Sequence, residues 1–183
     1  ETVINNENLI EHGIFNKILK LKSIKLYKGK NKTLSYKNPV ETENIKFNRN
    51  ESSGHINKLL SRLNGGRCEE IYWVNKFIKE DCETYKIVFP RGTACYNSIN
   101  NLKRLDKDIV FSKLVDSDTI LSDSLMYITL SNSEDFEYIR KYILRSKLVR
   151  FIFIKQNKYS ELTKGLFKYI PDIPVDVIKH DKL

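Results

Sequence analysis

The residues of this 183-residue chain best suited to chemistry are cations, and the chemistry they suit is capture of an anion. Between Arg145 and Lys168 seven cations (Arg145, Lys147, Arg150, Lys155, Lys158, Lys164, Lys168) stand against one acid, Glu161. They border an apolar run, Leu148-Val149 and Phe151 to Ile154, interrupted only by Arg150. A segment that must leave water therefore carries a positive rim, which suits an anionic partner. A second stretch, Lys17 to Lys37, holds eight lysines and no acid. Its Ile24, Leu26, Leu34 and Tyr36 alternate with polar neighbours, as in a hairpin of two short strands turning at Gly29-Lys30-Asn31-Lys32. On such a ribbon Lys28, Lys30 and Lys32 would touch phosphates. A solvated lysine face explains the pattern equally well. A third stretch, Arg91 to Ser98, combines Arg91, a glycine, Tyr96 and Asn97 at the end of an apolar strand, where ligands are often met. Its plain alternative is an ordinary turn.

Residues for making or breaking bonds are missing. Cys68, Cys82 and Cys95 form no CxxC pair, and His12, His55 and His180 form no HxxxH pair, so neither a zinc ribbon nor a disulfide framework is expected. Gly65-Gly66 follows a helical pattern and lacks the remaining glycines of a nucleotide loop. Glu83-Thr84-Tyr85-Lys86 has the wrong spacing for a nuclease Glu-x-Lys, as does Glu137 to Lys141. Asp116 and Asp118 read as solvated turn residues. The expectation is a chain that binds without catalysing and holds no metal or cofactor.

Composition agrees with a basic globular protein. Net charge is +9, pI is about 9.3, 40% of residues are hydrophobic and ten are tyrosine. Asn, Lys and Ile are abundant, as AT-rich coding produces, so part of the lysine excess is compositional. No apolar run approaches the roughly 20 residues of a membrane span, and the opening residues lack a signal-peptide pattern. A cytoplasmic protein with reduced cysteines and no membrane partner is expected. Glu1 in place of an initiating Met points to a domain of a longer polypeptide, the alternative being a whole protein freed from a tag.

The elements that must position the cations follow from periodicity. Leu9, Ile10, Ile14, Ile18 and Leu19 predict a helix over 7–20, and Asn44 to Asn48 a strand. Ser52-Ser53-Gly54 would start a helix with Ile56, Leu59, Leu60 and Leu63 on one stripe, stopped by Asn64-Gly65-Gly66. Strands are expected at Ile71–Val74, Tyr85–Phe89 up to Pro90, Asp108–Val115 and Leu125–Leu130, with a short helix at 75–82. Ser131 to Glu134 offers a capping box for a helix in which Phe136, Ile139 and Ile143 share a face. That helix would run on through Phe153, although composition alone also allows a strand over Leu148–Ile154. Asp172 to Leu183 reads as a loosely ordered tail. The sum is an α+β domain over 1–183 built on a mixed sheet, with a candidate N-terminal lobe 1–66, a core 67–172 and a tail 173–183.

The order of strand Leu125–Leu130, capped helix, "SKLVRFIFI", polar turn and "LFKYIP" resembles the C-terminal target-recognition region of bacterial adenine-specific DNA methyltransferases of restriction–modification systems. Ile71-Tyr72-Trp73-Val74, Phe77-Ile78-Lys79 and Tyr85 to Arg91 resemble an upstream piece of the same region. The resemblance favours a helix over Leu148–Phe153 and implies a strand across the final "LFKYIP". It spans about residues 70–172 and rests on patterned hydrophobics. It implies double-stranded DNA as partner, together with a catalytic methyltransferase domain of the same polypeptide that binds S-adenosylmethionine, the parent being a methylase or a combined methylase–nuclease. This chain has no Asp/Asn-Pro-Pro-Tyr/Phe motif to hold a flipped adenine, since Pro39, Pro90, Pro171 and Pro174 are never adjacent. By matching position, the turn Lys155-Gln156-Asn157-Lys158 would lie at the DNA, with Lys164 beyond it. Gln156 and Asn157 carry donor–acceptor pairs suited to adenine, and Arg91 the fork suited to guanine. Phe151, Phe153, Phe167 and Tyr169 are expected to be plain core. Two other functions fit the same charge: a protein-interaction module for an acidic partner, and a single-stranded nucleic-acid binder using tyrosines as stacking platforms.

Overall fold

The computed structural model describes residues 12–14, 16–31, 47–54, 57–64, 68–75, 83–90, 108–156 and 167–180. The chain is α+β, and its organising element is the strand Tyr85–Pro90 (β5). β5 is paired antiparallel on one side with Leu125–Leu130 (β8) and on the other with Lys113–Val115 (β6). Tyr27–Lys28 (β1) adds to the far edge of β8, giving the order β1-β8-β5-β6. Both faces of this sheet are covered, which is why Ile87, Val88 and Phe89 run unbroken and all are fully buried. Ile87 and Phe89, with Met126, Ile128 and Leu130, pack under the helices. Val88, with Leu125 and Tyr127, packs on a second sheet. Alternation along a strand thus sends one apolar run to two cores.

The second sheet orders Phe47–Asn48 (β2), Cys68–Val74 (β4), Asn57–Asn64 (β3) and Ile120–Leu121 (β7). β3 lies antiparallel to β4 and parallel to β7. Here the expected helix after Ser52 is overturned: 57–64 is a strand. The register shifts between Leu60 and Arg62, inserting one extra residue at Ser61. Leu60 and Leu63, three apart, thereby reach the same core and imitate a helical stripe. Asn64 accordingly ends no helix, since it pairs with Cys68 in the same ladder, and Gly65-Gly66 lies outside the described residues.

The turn expected at Gly29-Lys30-Asn31-Lys32 does not form over its described residues, and the expected second strand with Leu34 and Tyr36 lies outside them. After β1 the chain stays extended: the Gly29 amide donates to Leu125 O at 3.1 Å, and the Asn31 amide to Leu121 O at 3.4 Å. Asn31 then bridges Ser122 in parallel, so no turn forms at 29–31, and Lys32 lies outside the described residues. Gly29 is required by close approach instead. A Cβ there would collide with the carbonyl oxygens of Leu121 and Ser122. Of the other expectations, residues 12–14 and 16–18 are helical, β2 covers only Phe47–Asn48, and 76–82 lies outside the described residues. Asp108–Ser112 is irregular, with Ile109 and Val110 buried, and the strand begins at Lys113. The aspartates Asp116 and Asp118 are exposed beside a turn.

The helical layer starts where Asn132 Oδ1 accepts the Asp135 amide at 3.0 Å, closing a 3-10 turn, Ser133–Asp135. Phe136–Arg145 (α1) follows, with Phe136 and Ile139 against the core and Ile143 inside it. The helix does not run on to Phe153 unbroken. Ser146 is extended (ψ 143°), and its Oγ accepts the Val149 amide at 3.2 Å, so it caps a separate helix, Lys147–Gln156 (α2). Phe153 and Phe167 are buried, with Phe151 and Tyr169 packed against the same core. The strand implied across "LFKYIP" does not form over its described residues, 167–171. Phe167 to Ile170 turn, the Ile170 amide donating to Phe167 O at 3.0 Å, and only Pro171 makes a bridge, to Ser23.

The expected loose tail is also corrected. Val175–His180 is a helix (α3) that seats Ile178 in the core, while Lys179 Nζ stands 3.1 Å from Asp135. Nearby, the Tyr142 hydroxyl donates to Pro171 O at 2.9 Å. Burial, helped by the charge on Asp172, pushes the Tyr142 phenol well above its ordinary 10.0. A raised pKa means that the folded state holds this proton more tightly than the unfolded one. Tyr142's contribution is complete below pH 10 and drains away as pH rises above it. Stability measured by denaturant between pH 9 and 11 should therefore fall less steeply for Tyr142→Phe than for the parent. Equal slopes would show that Tyr142 does not set the alkaline limit.

Candidate nucleic-acid interface

The lysine-rich segment is held in place from both ends. Ile18, Ile24 and Leu26 are buried, and β1 locks the chain onto β8 with Tyr27 opposite Tyr127, their rings stacked at 5.3 Å. Polar residues between these anchors face out: Lys17, Lys20, Lys22, Lys25 and Lys30 are exposed, and Lys28 is half-buried. Lys25 Nζ rests 4.8 Å from the centre of the Tyr27 ring. β1 is a sheet edge, and lysines on an edge also discourage pairing with another chain. That role alone explains Lys25 and Lys28. It does not explain Lys17, Lys20 and Lys22, which precede the strand.

Those lysines lie beside the other basic stretch. The Ile24 amide donates to Ile170 O at 2.9 Å, and the Asp172 amide to Lys22 O at 2.8 Å, on either side of the Ser23–Pro171 bridge. Two segments nearly 150 residues apart in sequence, each picked out by its lysines, are thus stitched side by side. Exposed Lys168, its Nζ 4.7 Å from the Tyr169 ring centre, joins Lys17, Lys20, Lys22 and Lys25 on this surface. The described acid among them is Asp172, 3.1 Å from Lys22 Nζ; both are exposed, so the pair is worth at most about 1 kcal/mol.

The positive rim on 145–168 is thinner than its sequence implies, because two of its arginines are structural. Arg150 is 3% exposed; its Nε donates to Arg145 O at 3.2 Å and its Nη2 to Leu144 O at 3.4 Å, capping the carboxyl end of α1. Arg145 Nε and Arg140 Nη2 each donate to Asp108 at 2.6 Å, clamping the irregular 108–112 segment to α1. Lys147 remains exposed.

The sequence-predicted contact residues divide as follows. Lys28, half-buried on β1, and exposed Lys30 follow the stitched segment along the chain, where it runs beside β8 and β7. Lys155 and Gln156 form the last turn of α2, so the expected recognition turn does not begin at Lys155. Lys32, Arg91, Asn97, Asn157, Lys158 and Lys164 lie outside the described residues. Lys17, Lys20, Lys22, Lys25 and Lys168 were not chosen as contact residues from the sequence, although both charge runs that contain them were visible. What locates them is the pairing with 170–172, which no local pattern encodes. Among the described residues no group of His, Cys, Asp and Glu could hold a metal ion, and no helix is long and apolar enough to cross a membrane. Comparison with protein families, curated proteins and solved structures finds no match to this chain.

Proposed function

We propose that this chain binds duplex DNA through the surface carrying Lys17, Lys20, Lys22, Lys25, Lys28, Lys30 and Lys168. In the same proposal it is the target-recognition domain of an adenine-specific methyltransferase whose cofactor-binding catalytic domain lies elsewhere in its polypeptide. The observation that carries the reading is the stitching of Lys22–Ile24 to Ile170–Asp172, which gathers exposed cations from both ends of the sequence. Exposed lysines suit a phosphate backbone by charge, and each one engaged releases condensed counterions. Affinity would come from these contacts; base choice would come from side chains of the Gln156-Asn157 and Arg91 kind.

The test is titration of a labelled duplex at several salt concentrations. Log K should fall linearly with log salt, and replacing Lys17, Lys20 and Lys25 together with Ala should flatten the slope by about 3 units. Absence of binding at low salt, or a slope that the triple variant leaves unchanged, would sink the reading. Single-stranded DNA and heparin serve as competitors: preference for the single strand assigns the surface to stacking, and equal competition by heparin assigns it to unspecific anion capture.

A further inference from the structure

Two side chains on the basic surface contribute nothing to phosphate binding. Leu19 and Leu21 are 55% and 57% exposed, whereas Ile18 beside them is buried. The Lys20 amide donates to Lys17 O at 3.2 Å and the Leu21 amide to Ile18 O at 2.9 Å. These successive tight turns hold Ile18 inside and turn Leu19, Lys20 and Leu21 outward. Lys17, Lys20 and Lys22, all exposed, flank and separate the two leucines. The result is a narrow apolar ridge with cationic shoulders.

Such a ridge needs an occupant that offers anions on both sides and an apolar surface between them. A duplex does so once a base step is opened: phosphates line the rims of its groove, polar base edges form the floor, and the apolar base faces are uncovered between unstacked pairs. A bilayer also offers both, but as a plane, which suits a broad apolar face better than two leucines on one tight turn. We infer that Leu19 and Leu21 form a wedge that enters the minor groove of duplex DNA, opens a base step and bends the duplex, with Lys17, Lys20 and Lys22 on the flanking phosphates. Proteins that bend DNA from this groove insert aliphatic side chains in the same way. The inference rests on the duplex-DNA reading above.

The experiment uses the full chain and a duplex carrying a donor and an acceptor fluorophore at its two ends. Binding of the parent should raise energy transfer as the ends approach. The double variant Leu19→Ala/Leu21→Ala should bind with the same salt slope, roughly tenfold more weakly, and leave energy transfer at the value of free DNA. If the parent binds with no change in transfer, the wedge is wrong and the DNA reading stands. If the parent does not bind DNA, the reading itself fails and takes the wedge with it. Bending that survives in the double variant overturns the inference. So does a lowered melting temperature of that variant with bending intact, which would make the leucines packing residues. Vesicles of phosphatidylserine and phosphatidylcholine form the last arm: leucine-dependent vesicle binding, with DNA bending unaffected, would reassign the ridge to a membrane surface.

Discussion

Arg150→Ala is expected to lower the free energy of unfolding by roughly 3–4 kcal/mol, a large share of the 5–15 kcal/mol typical of a native protein. The guanidinium is buried and donates to the carbonyls of Leu144 and Arg145, which end α1 and have no helical partner of their own. Alanine removes this donor from both acceptors, of which Leu144 O keeps the Ile109 amide at 3.2 Å, and opens space beneath α2. Arg150→Lys keeps the charge but replaces a rigid fork with a single ammonium, so it should recover only part of the loss. Exposed Lys147, on the same helix, should tolerate alanine within about 0.5 kcal/mol. Denaturant titration reads the difference as a shift in midpoint at unchanged slope. Because Arg150 faces inward, its loss should leave the salt dependence of DNA binding as it was, in contrast to Lys17, Lys20 and Lys25. An Arg150→Ala protein as stable as the parent would show that α1 ends without this cap.

Legibility in the sequence followed how local the signal was. Tyr85–Pro90 and Leu125–Leu130 were read correctly because short apolar runs containing β-branched and aromatic residues, bounded by turn signals, favour strands. The start of the helical layer was legible in Asn132 and its neighbours, since a cap is satisfied by atoms three residues away. The strand 57–64 was misread because a bulge at Ser61 converts period two into a spacing of three, which a helix shares. Gly29 was misread for a related reason: a turn glycine and a close-approach glycine look alike until the carbonyls of Leu121 and Ser122 are placed beside it. The helix at Val175–His180 was missed because six residues with one buried Ile178 make too short a pattern to stand out from a tail.

Charge was visible as a run, but its use was not. Arg150 and Lys168 read as the same kind of cation in sequence; one caps a helix inside the protein and the other is exposed beside a tyrosine. Arg140 and Arg145 were separated from their carboxylate, Asp108, by more than thirty positions. Lys86 is a further case. It lies on a strand face with Val88, 1% exposed, and its ammonium donates to the carbonyls of Thr84 at 3.1 Å and Asp116 at 3.4 Å. A lysine inside an apolar run was legible as strand, yet nothing local foretold that the turn after β6 would supply its acceptors. Net charge therefore overstates the cations available to a partner, since Lys86, Arg140, Arg145 and Arg150 are engaged within the fold.

Phe167→Ala links that surface to the core beneath it. Phe167 is 1% exposed, with its ring centre 6.1 Å from that of Phe89 on the central strand. Truncation of a phenylalanine in such a site costs about 3–5 kcal/mol, which for a protein of this size lowers the melting temperature by roughly 6–20 °C. The site also anchors the start of the segment whose Ile170 and Asp172 hold the main chain of Lys22 to Ile24. A cavity under Phe167 should let that seam part before the sheets do, scattering Lys168 from Lys17, Lys20 and Lys22. Leu60→Ala is the matched control. Leu60 is 2% exposed in the opposite core, between the two sheets, and its truncation costs a comparable 2–5 kcal/mol. Compared at a temperature where both variants are folded, Phe167→Ala should bind duplex DNA more weakly with a flatter salt slope, and Leu60→Ala should bind as the parent does. Equal binding by the two would mean that the seam does not organise the lysines, and that their charge acts on DNA without being held in register.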